Sequence, residues 1–277
     1  MLWKRVATAV VLLPLLLLAL FKLPATGIAV LIALAIMLAT WEMTALIGFP
    51  NIGQRVFYSS ALGIAGIAGS IWLLDGGEIT VFLYSALVWW IYATIHIVRE
   101  DGSFGGVFGS KTGRMLAGAL IMVPTWLAFI FLFVVDNSAP ALLLYVLVLV
   151  WVADSFAYFT GRALGKHKLA PAVSPGKSVE GVIGGLSGVV LTALIGGYYI
   201  WDLTGQALAL WLAVSVVTGA VSVVGDLIES IFKRRAGVKD SGHLLPGHGG
   251  MFDRIDALTA AIPVFAVGWV TLLKAGG

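Results

Sequence analysis

The chain has 277 residues, 60% of them hydrophobic and only 11% charged, and its mean hydropathy is +1.02. That is too apolar for a soluble domain of ordinary composition. The formal charge is +3, and the absence of cysteine excludes disulfides and thiolate metal ligands.

The N-terminal MLWKRVATAVVLLPLLLLALF sets Lys4 and Arg5 before an apolar run, as a signal peptide would. No small-residue cleavage site follows, and a second apolar run begins at once, so it reads as a retained first helix. LPATG at 23–27 reads as a turn. A membrane span needs about 20 mostly apolar residues. Candidates follow in order at 6–22, 26–48, 56–74, 79–98, 115–135, 140–162, 181–201, 206–230 and 255–274. The breaks carry turn and charge signals, such as Phe49-Pro50-Asn51, Asp75-Gly76-Gly77 and Asp202 to Gly205. The expected fold class is all-α: a polytopic integral membrane protein with about nine transmembrane helices.

Charge tests that count. With the N-terminus on side A and strict alternation, side A takes 15 of the 17 Lys and Arg, and side B only Lys22 and Lys274. The positive-inside rule makes side A cytoplasmic. The N-terminus is then cytoplasmic and the C-terminus periplasmic, in a bacterial inner (cytoplasmic) membrane.

Residues 1–138 read as a transmembrane scaffold of about five helices. Glu42 is its clearest intramembrane charge, and it reads as a single carboxylate reaching toward the interface. The Gly-rich segment from Arg99 to Gly113 reads as a connector. Residues 139–277 read as the catalytic region, about four helices with cytoplasmic loops 163–180 and 231–254. By parity the two loops share one side, so their flanking helix ends can meet.

Asp154 comes first in this region. At 1.5 Å per residue it lies about 10 Å from the cytoplasmic end of its span. Asp154, Tyr158 and Arg162 are spaced to share one helix face. A carboxylate at that depth needs a wet cavity or a partner. Next, in GKHKLAPAVSPGKSVEG, Lys166, Lys168 and Lys177 suit an anionic substrate. The run Ser174-Pro175-Gly176-Lys177-Ser178 precedes a span and reads as a phosphate cradle of backbone N–H groups with a lysine. It is not a P-loop, because Pro171 stands where that motif needs glycine. Gly181/Gly185 and Gly184/Gly188 are overlapping GxxxG pairs for close helix packing.

The stretch GDLIESIFKRRAGVKDSGHLLPGHGGMFDRID, residues 225–256, holds the densest charge. Asp226, Glu229 or Ser230, and Lys233 share one helix face. Asp253 and Asp256 open the last span, with Asp253 also a candidate N-cap. Asp226, Asp253 and Asp256, from two helix ends, form an oxygen donor set for a hard cation such as Mg²⁺. Gly247-His248-Gly249-Gly250 lets backbone approach a ligand closely. His248 is a candidate for orienting a phosphate or for acid–base work. Carboxylates for a metal plus lysine and arginine for phosphates make the equipment of phosphoryl or nucleotidyl transfer. A transporter of phosphorylated solutes is the rival of another class; its binding groups would sit near the bilayer midplane rather than at one face.

The pattern Ser230-Ile-Phe-Lys233-Arg234-(four residues)-Lys239-Asp240-Ser-Gly242-His-Leu-Leu245-Pro246-Gly-His248-Gly249-Gly250-Met-Phe-Asp253-Arg254-Ile-Asp256 resembles the signature of the phosphatidate cytidylyltransferases, or CDP-diacylglycerol synthases. Asp154, Ser174-Pro175-Gly176-Lys177-Ser178-x-Glu180-Gly181 and Gly225-Asp226-Leu-x-Glu229-Ser230 also look like that family. The resemblance covers about 150–260; residues 1–140 share only an apolar helical character. It implies conversion of CTP and phosphatidate to CDP-diacylglycerol and pyrophosphate, with Mg²⁺ and, in some members, a second, monovalent cation such as K⁺. It implies metal roles for Asp226, Asp253 and Asp256, and a phosphate or metal-site role for Lys233; His248 is expected among the catalytic groups on its own chemistry. Asp154, Ser174, Lys177, Ser178, Glu180, Glu229, Ser230, Arg234, Lys239, Asp240, Gly249, Gly250 and Arg254 are then expected to line the substrate site. The expected partners are CTP, the lipid and the bilayer, with no nucleic acid. A homodimer is expected only on general grounds. Within the same chemistry, the alternatives are an isoprenoid glyceryl phosphate acceptor and a CTP-dependent polyprenol kinase.

Overall fold

Segments this apolar satisfy their backbone groups internally, because lipid offers no hydrogen-bond partners. The computed structural model, which describes residues 2–99, 105–134, 139–244 and 249–273, is accordingly helical almost throughout. The helices are α1 (Leu2–Lys22), α2 (Ala25–Ile47), α3 (Ile52–Leu74), α4 (Thr80–Arg99), the single turn α5 (Gly106–Gly109), α6 (Lys111–Val134), α7 (Ala139–Leu164), α8 (Val179–Ile195), α9 (Gly205–Arg235) and α10 (Phe252–Gly268). α8 and α10 each continue into one π-helical turn, Gly196–Ile200 and Trp269–Leu273.

Among the described residues, eight helices are long and apolar enough to cross a membrane: α2, α3, α4 and α6 to α10. The ninth expected, α1, is a helix of 21 residues. The break at 48–51 is built locally. Gly48 closes α2 with φ of 88°, a left-handed cap that costs glycine little. Asn51 then opens α3, its Oδ1 accepting from the Gln54 N–H at 2.9 Å.

α6 and α10 form the inner layer, and most of their side chains are buried. α10 packs against α9, α6, α4, α2 and α7. Thr125 Oγ1 ties α6 to α10 by donating to the Thr259 carbonyl at 2.8 Å. The outer helices expose large apolar side chains such as Phe57, Val81 and Tyr199, as a lipid-facing wall does.

The GxxxG expectation holds. A Cβ on Gly181 would stand 2.9 Å from the Ala157 carbonyl, and one on Gly185 2.8 Å from that of Ala153, so α8 lies directly on α7. One departure from the all-α expectation falls in loop 163–180. β1 (Lys168–Ala170) and β2 (Ser174–Ser178) form a short antiparallel hairpin.

One end of the bundle gathers the C-terminal ends of α2 and α9, the N-terminal ends of α6 and α10, and the hairpin. Arg234 Nε donates to the Val173 carbonyl at 3.2 Å, which joins loops 163–180 and 231–254 as parity required. Arg114 reaches the Ile47 carbonyl at 3.0 Å, and Arg235 that of Gly109 at 2.7 Å.

Candidate active site

Asp226 and Glu229 project from the last turns of α9, and Asp253 and Asp256 from the first turns of α10. The helices meet at Gly225. A Cβ there would stand 2.6 Å from the Asp256 carbonyl oxygen and 3.2 Å from Ala257 Cα. Glycine permits that approach and so brings the two acidic helix ends together. Asp226, Glu229 and Asp256 each offer a carboxylate oxygen within 4.8 Å of the others. Glu229 is fully buried; its Oε2 meets Lys233, while its Oε1 has no hydrogen-bond partner among the described residues. Buried polar atoms are normally paired, so an orphaned carboxylate oxygen inside an acidic group is an open ligand position for a cation.

Asp253 is engaged differently from the expectation that set it beside Asp226 and Asp256. Its Oδ1 lies 2.7 Å from Lys233 Nζ. Its Oδ2 accepts the backbone N–H groups of Gly250 at 2.8 Å and Ser241 at 2.9 Å, and lies 3.0 Å from Ser241 Oγ. Lys233 therefore bridges Glu229 and Asp253, and Glu229 takes the third place in the acidic group.

The hairpin supplies Lys177, whose Nζ lies 2.6 Å from Asp226 Oδ2. Ser230 Oγ is 3.4 Å from Asp226 Oδ1. Asp154, exposed on α7, lies within electrostatic reach of Lys177, Asp226 and Arg254. Four carboxylates, Asp226, Glu229, Asp253 and Asp256, thus face two lysines, Lys177 and Lys233. With all six ionised, four minus two leaves two negative charges. Asp154 and Arg254 nearby add one charge of each sign. The surplus, the all-oxygen donor set and the orphaned Glu229 Oε1 fit a hard divalent cation.

Other expected residues have structural partners. Ser174 to Ser178 form a strand that runs directly into the start of α8. Ser178 Oγ caps α8, accepting from the Gly181 N–H at 3.1 Å. Glu180 accepts the Lys166 N–H at 3.1 Å and stands 2.6 Å from His167 Nδ1, fastening the hairpin to α8. Lys239 and Asp240 are exposed in the turn after α9. Gly249 has φ of +81°, and a Cβ there would be 2.5 Å from Asp253 Oδ2. Its close approach is to the protein's own carboxylate. His248 lies outside the described residues.

Glu42 departs furthest from its reading as a charge seeking the interface. It is buried, and its oxygens accept the Phe252 N–H at 2.8 Å and the Met251 N–H at 3.0 Å. Ser241 Oγ donates to it at 3.0 Å. Its depth in the second span was the one signal of such a role.

A helical membrane protein with an acidic metal-fitting group and lysines gathered at one end is an enzyme-type site for phosphates. The chain belongs to the cytidylyltransferase family: the profile described as "Cytidylyltransferase family" matches residues 3–272, well beyond the stretch that carried the resemblance. It is 45% identical over 266 residues, 96% of each chain, to the phosphatidate cytidylyltransferase of Pseudomonas aeruginosa. Identity to the phosphatidate cytidylyltransferase of Haemophilus influenzae is 39% over 290 residues, 96% of this chain and 98% of the other. The Thermotoga maritima protein of the same description is 43% identical over 157 residues, 56% of this chain and 58% of its own.

Proposed function

We infer that this chain is a membrane-embedded nucleotidyltransferase that converts CTP and phosphatidate to CDP-diacylglycerol and pyrophosphate. The observation that carries this reading is the 45% identity over 96% of both chains to a relative of that description. The acidic group on α9 and α10 supports it physically.

On this reading Asp226, Glu229 and Asp256 hold a divalent cation, taken to be Mg²⁺. When bound, the ion offsets triphosphate charge and draws electron density from phosphorus. Lys177 sits partly exposed on the hairpin, where it can leave Asp226 for a CTP phosphate. Lys233, held between Glu229 and Asp253, keeps a fixed positive charge beside the acidic group. The lipid phosphate already carries its nucleophilic oxygen, so in-line attack on the α-phosphorus asks no side chain to act as a general base. Arg254 stands at an apolar groove of about 400 Å³ that Leu16, Ile36, Leu147 and Trp151 help to line. The lipid phosphate would meet Arg254 with its acyl chains in the groove.

Residues 139–277 supply the reacting groups and 1–138 their surroundings, with Glu42 the exception. The 15-to-2 division of Lys and Arg supports a cytoplasmic site in a bacterial inner membrane.

The test is purified protein with Mg²⁺, phosphatidate and CTP labelled at the α or the γ position. The lipid should gain only α label, with one pyrophosphate released per CDP-lipid. γ label in lipid would replace the transferase with a kinase. Turnover with an isoprenoid glyceryl phosphate, but not with phosphatidate, would change the acceptor.

A further inference from the structure

We propose that Glu42 is a positioning residue for the transfer reaction, setting the Asp253–Lys233 pair from a helix of the other half of the chain. The proposal rests on the transferase reading above. Its physical basis starts at the N-terminus of α10. The first N–H groups of a helix lack partners within it and need a cap. Met251 precedes α10 and offers no side-chain cap. The Glu42 carboxylate does that work from α2, accepting the Met251 and Phe252 N–H groups at the positive end of the helix dipole.

The same carboxylate extends the contact one step further. Ser241 Oγ lies 3.0 Å from Glu42 Oε2 and 3.0 Å from Asp253 Oδ2. The N–H of Asp253 in turn approaches Ser241 Oγ at 3.3 Å. Asp253 then meets Lys233. A continuous chain of polar contacts therefore runs from Glu42 through Ser241 and Asp253 to Lys233 and Glu229.

Two glycines of the α9–α10 connection are shaped around this carboxylate. A Cβ on Gly242 would stand 2.5 Å from Glu42 Oε1, and one on Gly250 would collide with Oε2. Neither glycine has a left-handed φ. Each is required for room, at Gly242 for Glu42 and at Gly250 for Glu42 together with Ser241.

The test is Glu42→Gln in the full-length protein, with Ser241→Ala as a second variant that leaves the Glu42 contacts to the Met251 and Phe252 N–H groups in place. The glutamine keeps shape and one acceptor oxygen but turns an NH₂ toward groups that are themselves donors. Each variant should lower kcat by about 10–100-fold, the usual loss when a residue supporting a reactive group is changed. KM for CTP and for phosphatidate should stay within about threefold, because the substrate contacts remain. The double variant should be little worse than either single one, since both break the same chain.

A kcat within about twofold of the parent for either variant, at equal folded fraction, overturns the proposal. So does a pure rise in KM. Amide hydrogen exchange at Met251 and Phe252 supplies a readout that needs no activity. Glu42→Gln should speed exchange there, and unchanged protection overturns the proposal. If the parent makes no CDP-lipid, the transferase reading falls, and the exchange result still judges the contact.

Discussion

At the scale of single residues, Glu229 and Lys233 look in sequence like an ordinary i,i+4 surface pair, generally worth a few tenths of a kcal/mol. Burial changes their meaning. Glu229 has no exposed surface, and Lys233 is shared with Asp253. Lys233→Met should therefore leave two carboxylates without their cation. Removing one partner of a buried pair costs about 3–5 kcal/mol, so a large drop in melting temperature in detergent should accompany loss of transfer. A melting temperature unchanged from the parent would contradict this geometry. Glu229→Gln should raise the Mg²⁺ needed for half-maximal rate by about 10–100-fold, measured by metal titration. That Asp226 and Asp256 come together was legible because carboxylates spaced along adjoining helix ends have few structural excuses in a membrane protein. Glu42 was not, since its partners Ser241, Met251 and Phe252 lie 199, 209 and 210 residues away and no spacing rule links them.

At the scale of elements, the site depends on how closely α9 and α10 approach. Gly225 is the contact point. Gly225→Ala puts a methyl group against the Asp256 carbonyl, an overpacking that costs about 1–3 kcal/mol or forces the helices apart. Parting them separates Asp226 from Asp256, so CDP-lipid formation should fall far more than thermal stability does. Equal activity per folded molecule would show that the close approach is dispensable. The helices themselves were legible from runs of apolar residues. The hairpin was not: its strands have three and five residues, and β2 contains Pro175 and Gly176, which usually punctuate loops. Backbone pairing with β1 decided the matter. It makes the run before α8 a strand that carries Lys177 to Asp226.

At the scale of the whole molecule, the distribution of Lys and Arg anticipated which connections share an end. Contacts from Arg114, Arg234 and Arg235 join connections that alternation assigns to side A. A periplasm-active phosphatase fused to the C-terminus should therefore be active in a bacterial host, and the same reporter at the N-terminus silent. The reverse pattern would invert the proposed orientation. The division into a scaffold half and a reactive half was only partly legible. Composition places the densest run of charge at residues 225–256, but α10 is packed among α2, α4 and α6, so the first half also shapes the site.

All of this depends on the acidic ends of α9 and α10 holding one divalent ion jointly. Mn²⁺ binding to the purified protein with CTP, followed by electron paramagnetic resonance, tests that most directly. The parent should show saturable protein-bound Mn²⁺, and Asp226→Asn and Asp256→Asn should each remove it while remaining folded. Undiminished binding in both variants would contradict the shared site.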